Sequence, residues 1–153
     1  MELAALHTVV AEHLTDAYGQ GPWSAKTSEK NVLYAMNRCR VLVARQGREI
    51  VGTLRLTTKK PWAIDIRYFS KCKSPIYLLA MAVLPRKQRQ GLGGRCVEEA
   101  RRIARDWPAD AIRLDAYDAD AGAGRFYARC GYTERGRITY RSTPLIYYEL
   151  LLV

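Results

Sequence analysis

The 153-residue chain carries 25 Lys and Arg against 15 Asp and Glu, a formal net charge of +10, with 48% hydrophobic and 26% charged residues. That mixture excludes the disordered class, and a chain of this length buries enough surface for one self-sufficient domain over residues 1–153. No apolar run approaches the roughly 20 residues of a helical membrane span, and the N-terminal stretch lacks the basic region of a secretory signal, with His7, Glu12 and His13 interrupting its apolar run.

The positive charge is concentrated. Residues 1–25 hold three acids and no Lys or Arg, residues 26–89 hold 15 basic against three acidic residues, and residues 90–153 are nearly balanced. Such a stretch suggests an anionic partner, whether nucleic acid, a membrane surface or a phosphorylated ligand, and fits equally well a soluble basic surface with none. Cys39, Cys72, Cys96 and Cys130 lie far apart, without a C-x-x-C pair or a nearby His cluster. The expectation is therefore four reduced thiols in a cytoplasmic protein, with no metal.

Leu3, Leu6, Val10, Leu14 and Ala17 recur at helical spacing over residues 3–18, which Gly19 and Gly21-Pro22 end. A second helix is predicted after Ser28, which can cap it. Arg40–Arg45 and Glu49–Thr57 read as a hairpin around Gly47. Residues 58–75 follow neither period and read as a long connection, a kind of segment that often carries function. Ile76–Leu84 is a nearly continuous apolar run, as expected of a strand buried on both faces.

Gly93–Trp107 is a clear amphipathic helix, with Cys96, Val97, Ala100, Ile103, Ala104 and Trp107 on one face and Glu98–Arg102 as an expected ion pair. A strand over Ala111–Tyr117, a short helix over Gly122–Cys130 and strands over Glu134–Arg141 and Leu145–Leu152 complete the chain, with a turn at Ser142-Thr143-Pro144. The order gives an α/β (α+β) domain with a mixed central sheet flanked by helices.

The chemistry concentrates where the apolar strand runs through Pro85 into Arg86-Lys-Gln-Arg-Gln-Gly-Leu-Gly-Gly94 and then a helix. Unsatisfied amides at a helix start, with the positive end of its dipole, form an anion site. Gly91, Gly93 and Gly94 remove the Cβ atoms that would hold a phosphate away, while Arg86, Lys87 and Arg89 add charge. The spacing matches neither G-x-x-x-x-G-K-[ST] nor G-x-G-x-x-G, since Cys96 stands where the latter needs its last glycine. A tight turn with no ligand is the plain alternative.

Val83, Pro85, Gln88, Gly91 and Gly93 fit the pattern V-x-P-x-x-[RQ]-x-x-G-x-[GA], and Ala123, Phe126, Tyr127, Gly131 and Tyr132 fit N-x-x-A-x-x-F-Y-x-x-x-G-[FY]. With these two elements the chain resembles the GNAT superfamily of acyl-CoA-dependent N-acyltransferases over most of residues 26–153. Two departures stand out. The chain opens on a helix where the family usually begins with a strand, so that strand is expected to be absent or supplied differently. Asp120 stands where the family often has Asn, and an ionised Asp only accepts hydrogen bonds, so it is expected to cap the following helix instead.

The resemblance implies a sheet splayed at an acyl-CoA slot. The amides of Gln88, Arg89, Gln90, Gly91, Leu92, Gly93 and Gly94 would hold the pyrophosphate of acetyl-CoA, and the backbone of Met81, Ala82 and Val83 the pantetheine arm, with Asp120 and Tyr127 also near the cofactor. It further implies direct attack of a primary amine on acetyl-CoA in a ternary complex. Tyr127 would protonate the departing thiolate, and its plain alternative is a core aromatic beside Phe126. As the base, Asp65 in the aromatic connection ranks first, Glu149 second, and Asp115 is a third carboxylate.

Two further readings stay open: a non-catalytic acyl-CoA-binding regulatory module, and a basic nucleic-acid-binding domain using Trp62, Tyr68 and Phe69 to stack on bases. No nucleic-acid motif supports the latter. The acceptor, a small molecule or a peptide, has no signature. The apolar last strand offers an edge for a homodimer.

Overall fold

A computed structural model of the chain describes residues 2–152. Its elements are α1 (Glu2–Tyr18), α2 (Glu29–Met36), β1 (Arg40–Gln46), β2 (Glu49–Thr57), β3 (Pro75–Val83), α3 (Leu92–Asp106), β4 (Ala111–Tyr117), α4 (Gly124–Arg129), β5 (Thr133–Tyr140) and β6 (Thr143–Leu151). The strands form one six-stranded sheet in the order β1-β2-β3-β4-β6-β5. β3 and β4 run parallel, whereas β1·β2, β4·β6 and β5·β6 are antiparallel, so the sheet is mixed as expected. Among the described residues no strand precedes β1. The chain divides into two compact units: residues up to Thr57 with Leu79–Glu98, and Thr58–Leu78 with Glu99 onward.

In the first unit, Leu3 and Leu6 of α1 pack with Val32 of α2 and Ile50 of β2, joined by half-buried Val10, Val41 and Leu84. The apolar stripe of α1 is shorter than its spacing suggests: Ala11 is buried, but Leu14 is half-buried and Ala17 exposed. Ser28 caps α2 as expected, its Oγ accepting from the Asn31 N–H at 3.2 Å. The ladder between β1 and β2 turns at Gln46↔Glu49, where Gly47 takes φ 62°, and a bulge falls between Ala44 and Arg45.

In the second unit, Ile64, Phe69, Tyr77 and Tyr147 form a buried cluster that ties the long connection to β3 and β6. Several expectations change here. The turn between β5 and β6 is made by Arg141 and Ser142, at φ 48° and 68°, while Thr143 and Pro144 already lie in β6. Two successive left-handed residues match the right-handed twist of the strands, which a two-residue turn needs. β6 is paired with both β4 and β5, so it has no free edge to offer a second copy. Arg102 pairs with Glu99 and Asp106 rather than Glu98, so the expected i,i+4 partner is wrong. Asp120 does not cap α4: Ala123 occupies the N-cap, and no side chain bonds the first turn. Gly124, in that turn, leaves room for Tyr148, whose hydroxyl would lie 2.7 Å from any Cβ placed there.

Only the first part of β3 is the buried strand its sequence suggests, since Ile76–Leu78 are buried and Leu79–Met81 half-buried. Its parallel ladder to β4 covers Pro75, Ile76 and Tyr77 and ends at Tyr77↔Arg113. Shortly afterwards Ala80 adopts φ 50°. A left-handed non-glycine residue costs about 1–2 kcal/mol, so Ala80 is a strained position in the second half of β3.

Candidate functional site

In the first unit, β3 delivers the chain through Pro85–Lys87, a single 3-10 turn, to the start of α3. Side chains fix the loop from within. The Gln88 Nε2 donates to the Val83 carbonyl at 3.0 Å, and the Gln90 Nε2 to that of Arg86 at 3.2 Å. The Leu84 N–H donates to the Val51 carbonyl at 2.9 Å, and the Arg86 guanidinium pairs with Glu49. Arg89 and Gly91 both adopt positive φ, 61° and 80°.

The first intrahelical bond of α3 runs from the Arg95 N–H to the Gly91 carbonyl. The amides of Arg89, Gln90, Gly91, Leu92, Gly93 and Gly94 donate to no other group among the described residues. A Cβ at Gly91 or Gly94 would stand in open space. Lys87, Arg89 and Arg95 have no carboxylate partner among the described residues. Unpartnered amides at a helix start, open space before them and uncompensated cations make an anion site, so these residues fit a phosphate-bearing ligand.

Tyr127 lies in the second unit on α4. It is buried, at 6% exposure, with its ring centroid 5.2 Å from Phe126, 5.7 Å from Tyr132 and 6.3 Å from Tyr148. Burial pushes its phenol well above the ordinary range, and the negative charge of Cys130 and Asp115 adds to this. The hydroxyl therefore keeps its proton at any physiological pH. Asp120 is exposed.

Both favoured base candidates have hydrogen-bond partners of their own. Both Asp65 oxygens accept from the Arg67 guanidinium, at 2.7–3.1 Å, and one also accepts from its backbone N–H. These hydrogen bonds lower its carboxyl to about 2, which makes it a poor proton acceptor at neutral pH. Glu149 is buried against Arg113, whose Nε donates to it at 2.9 Å, and it also accepts from the Ser70 N–H at 3.2 Å. Arg113 Nη2 in turn donates to the Ser70 carbonyl at 2.6 Å. The pair fastens the end of the connection to β4 and β6. Sequence reading missed Arg113, although an arginine inside the otherwise apolar start of β4 signals a buried partner.

Tyr147 was also missed. Its hydroxyl donates to the Ala63 carbonyl and accepts from the Asp65 N–H at 3.0 Å. The stacking platform expected from Trp62, Tyr68 and Phe69 does not form, because Phe69 is buried and Tyr68 packs edge-on against Tyr147 at 5.4 Å. Among the described residues no group of three or more His, Cys, Asp or Glu could hold a metal, all four cysteines are free, and no helix is long and apolar enough to cross a membrane.

The family model described as "Acetyltransferase (GNAT) family" matches residues 8–132. The chain belongs to the GNAT acetyltransferase family. Acetyl transfer is thus the chemistry of its relatives, and the mixed sheet with its flanking helices is the GNAT fold. Among solved structures, the ribosomal-protein-alanine N-acetyltransferase from Brucella melitensis superposes with a TM-score of 0.71 at 17% identity, over 99% of this chain and 94% of that one. An aminoglycoside 6'-N-acetyltransferase complexed with coenzyme A gives a TM-score of 0.65 at 16% identity, covering 97% and 92%. An acetyltransferase from Salmonella typhimurium with its cofactor acetyl-CoA gives 0.69 at 17%, covering 98% and 88%. At such identities the likeness is one of fold. No relative among curated proteins matches the sequence.

Proposed function

We propose that this GNAT protein is an N-acetyltransferase that passes the acetyl group of acetyl-CoA to a primary amine by direct attack in a ternary complex. The observation that carries the reading is the run of six unpartnered amides from Arg89 to Gly94 at the start of α3. In this reading those amides, with Gln88 bracing the loop, hold the pyrophosphate of acetyl-CoA. The backbone of Met81, Ala82 and Val83 takes the pantetheine arm, and Asp120 is assigned to the cofactor by its place in the second motif alone. Acetyl-CoA supplies an activated acyl carbon and a thiolate leaving group. Tyr127, kept protonated by burial, supplies the proton that thiolate needs. The four free cysteines support work in a reducing compartment, the cytoplasm.

The test is a thermal shift followed by a turnover assay. Acetyl-CoA in hundredfold excess over its Kd should raise the Tm by roughly 5–10 °C. Primary amines should then trigger release of free CoA thiol. No stabilisation at millimolar acetyl-CoA would refute the reading. Tyr127→Phe should keep the stabilisation and lose turnover by about 100-fold, the scale of general acid catalysis. Unchanged turnover in that variant would remove the acid role from Tyr127.

A further inference from the structure

Trp62 is exposed at 85%, more than any other large apolar side chain among the described residues. It stands in the connection between β2 and β3, and Ile66, on the same segment, is exposed at 55%. The segment also sends Ile64 and Phe69 into the buried cluster with Tyr77 and Tyr147. Its apolar residues therefore divide: Ile64 and Phe69 enter the core, while Trp62 and Ile66 face water. Single exposed apolar residues are ordinary, but a bare indole on a segment that otherwise buries its apolar groups marks a contact surface.

The backbone that carries them is braced. The Lys60 Nζ donates to the carbonyls of Pro61 and Ile64, at 2.9 and 2.7 Å, and closes the turn that bears Trp62. From the core side, the Tyr147 hydroxyl donates to the Ala63 carbonyl and accepts from the Asp65 N–H. Beyond Ile66, the Arg135 Nε of β5 donates to the Tyr68 carbonyl at 3.1 Å, and the Tyr68 ring fills the space a Cβ on Gly136 would need. Trp62 and Ile66 are thus presented in advance, with little ordering left to lose on binding. The charge around them is positive: residues 58–75 hold five basic residues and one acid. Lys59, Lys60 and Arg67 flank the two apolar side chains, and exposed Lys71 and Lys73 follow. The acid, Asp65, pairs with Arg67, whose side chain is still 85% exposed.

We propose that this loop is a membrane-contact site, at which Trp62 and Ile66 enter the interface of an anionic bilayer while the flanking lysines and Arg67 meet its headgroups. An indole has an apolar body and one N–H donor, which suits the headgroup level. Basic residues are drawn to the negative surface potential of anionic lipids. A shallow apolar contact gives only reversible binding, and the charge supplies the second signal that strengthens it. Other partners fit less well. Two apolar side chains fall far short of the roughly 800 Å² per partner that a stable protein interface buries. Trp62 offers a free ring, but Ile66 has no face for a second base, so single-stranded nucleic acid would gain one stacking contact. A bilayer closes around whatever the loop inserts, and so needs neither a wide surface nor a second ring. The site does not depend on the acetyltransferase reading.

The experiment is cosedimentation of the full chain with vesicles of phosphatidylcholine, alone or with about 30% phosphatidylserine. At low salt, wild type should partition at least about tenfold more strongly onto the serine-containing vesicles, and roughly 1 M NaCl should remove most of that difference. Trp62→Ala should weaken the partition about tenfold, whereas Trp62→Phe should stay within about threefold of wild type. Arg67→Gln should weaken binding to the anionic vesicles about fivefold and leave binding to pure phosphatidylcholine as it is. All three substitutions fall on exposed side chains, so the Tm should not move.

Fluorescence reads the insertion directly. Trp23 and Trp107 are half-buried, so Trp62 is the indole that meets solvent most fully. On adding the anionic vesicles, wild-type emission should shift to the blue and be quenched by lipids brominated near the headgroup. In Trp62→Phe both changes should vanish although the protein still sediments. If wild type sediments with neither kind of vesicle, or Trp62→Ala sediments as well as wild type, the inference falls. If an RNA oligonucleotide or an acidic peptide binds in a Trp62-dependent way while the vesicles do not, the loop serves another class of partner and the inference falls as well. Turnover of acetyl-CoA bears on none of these outcomes, so the acetyltransferase reading stands or fails separately.

Discussion

Asp65 and Asp115 lie in the same unit, and their surroundings push their proton affinities in opposite directions. Arg67 lowers Asp65 to about 2, whereas burial without a partner raises Asp115. A base must hold a proton part of the time, so the paired carboxylate is the worse choice despite its more suggestive sequence context. Asp65→Asn should therefore change kcat/KM by less than about threefold, since it removes only an exposed ion pair. A loss approaching 100-fold in the amine-dependent release of CoA thiol would return Asp65 to the chemistry. Glu149 differs from both. Its pair with Arg113 is buried on both sides, at 2% and 4% side-chain exposure, and breaking such a pair costs about 3–5 kcal/mol. Glu149→Gln should lower the Tm by roughly 10 °C, which a thermal melt would show before any assay.

At the scale of elements, the loop before α3 separates what glycine does for the backbone from what it does for a ligand. Gly91 sits at φ 80°, whereas a Cβ at Gly94, inside the helix, meets nothing within 4 Å. Gly91→Ala should destabilise the protein by about 1 kcal/mol and weaken acetyl-CoA binding together. Gly94→Ala should stabilise it by about 0.5–1 kcal/mol through helix propensity, yet still weaken binding by filling the space before the amides. Melting curves and calorimetry on the two variants check both signs. If Gly94→Ala binds acetyl-CoA as tightly as wild type, the ligand does not approach α3 there.

This loop was legible in the sequence because glycine spacing, the preceding apolar strand and the amphipathic helix are all local signals. The long-range partners of the base candidates were not. Arg113 with Glu149 joins residues 36 apart, and Tyr147 with Ala63 residues 84 apart. No local period records such pairings, so the partners of Asp65 and Glu149 appear only once the sheet register is known. The same holds for β6, whose apolar run reads as an edge until its pairing on both sides is seen.

On the scale of the whole molecule, the +10 charge is less uniform in space than in composition. The acidic N-terminal stretch folds back on the basic one: Glu2 pairs with Arg45 and Glu12 with Lys26, each at 3.6 Å. Glu49 similarly takes Arg86. What remains uncompensated near the start of α3 is Lys87, Arg89 and Arg95, beside the unpartnered amides. Part of the net charge is thus neutralised locally, and part is kept where an anion would arrive. Exposed charges act across roughly 10 Å at 0.1 M salt but only about 3 Å at 1 M. The dissociation constant of CoA should therefore rise roughly three- to tenfold between low and high salt, mostly through a slower association rate. Arg89→Ala should weaken binding at low salt and flatten that slope, because the amides remain while the steering charge is gone. A salt-independent Kd in wild type would show that the amides alone hold the ligand, and the basic stretch would then have no part in binding it.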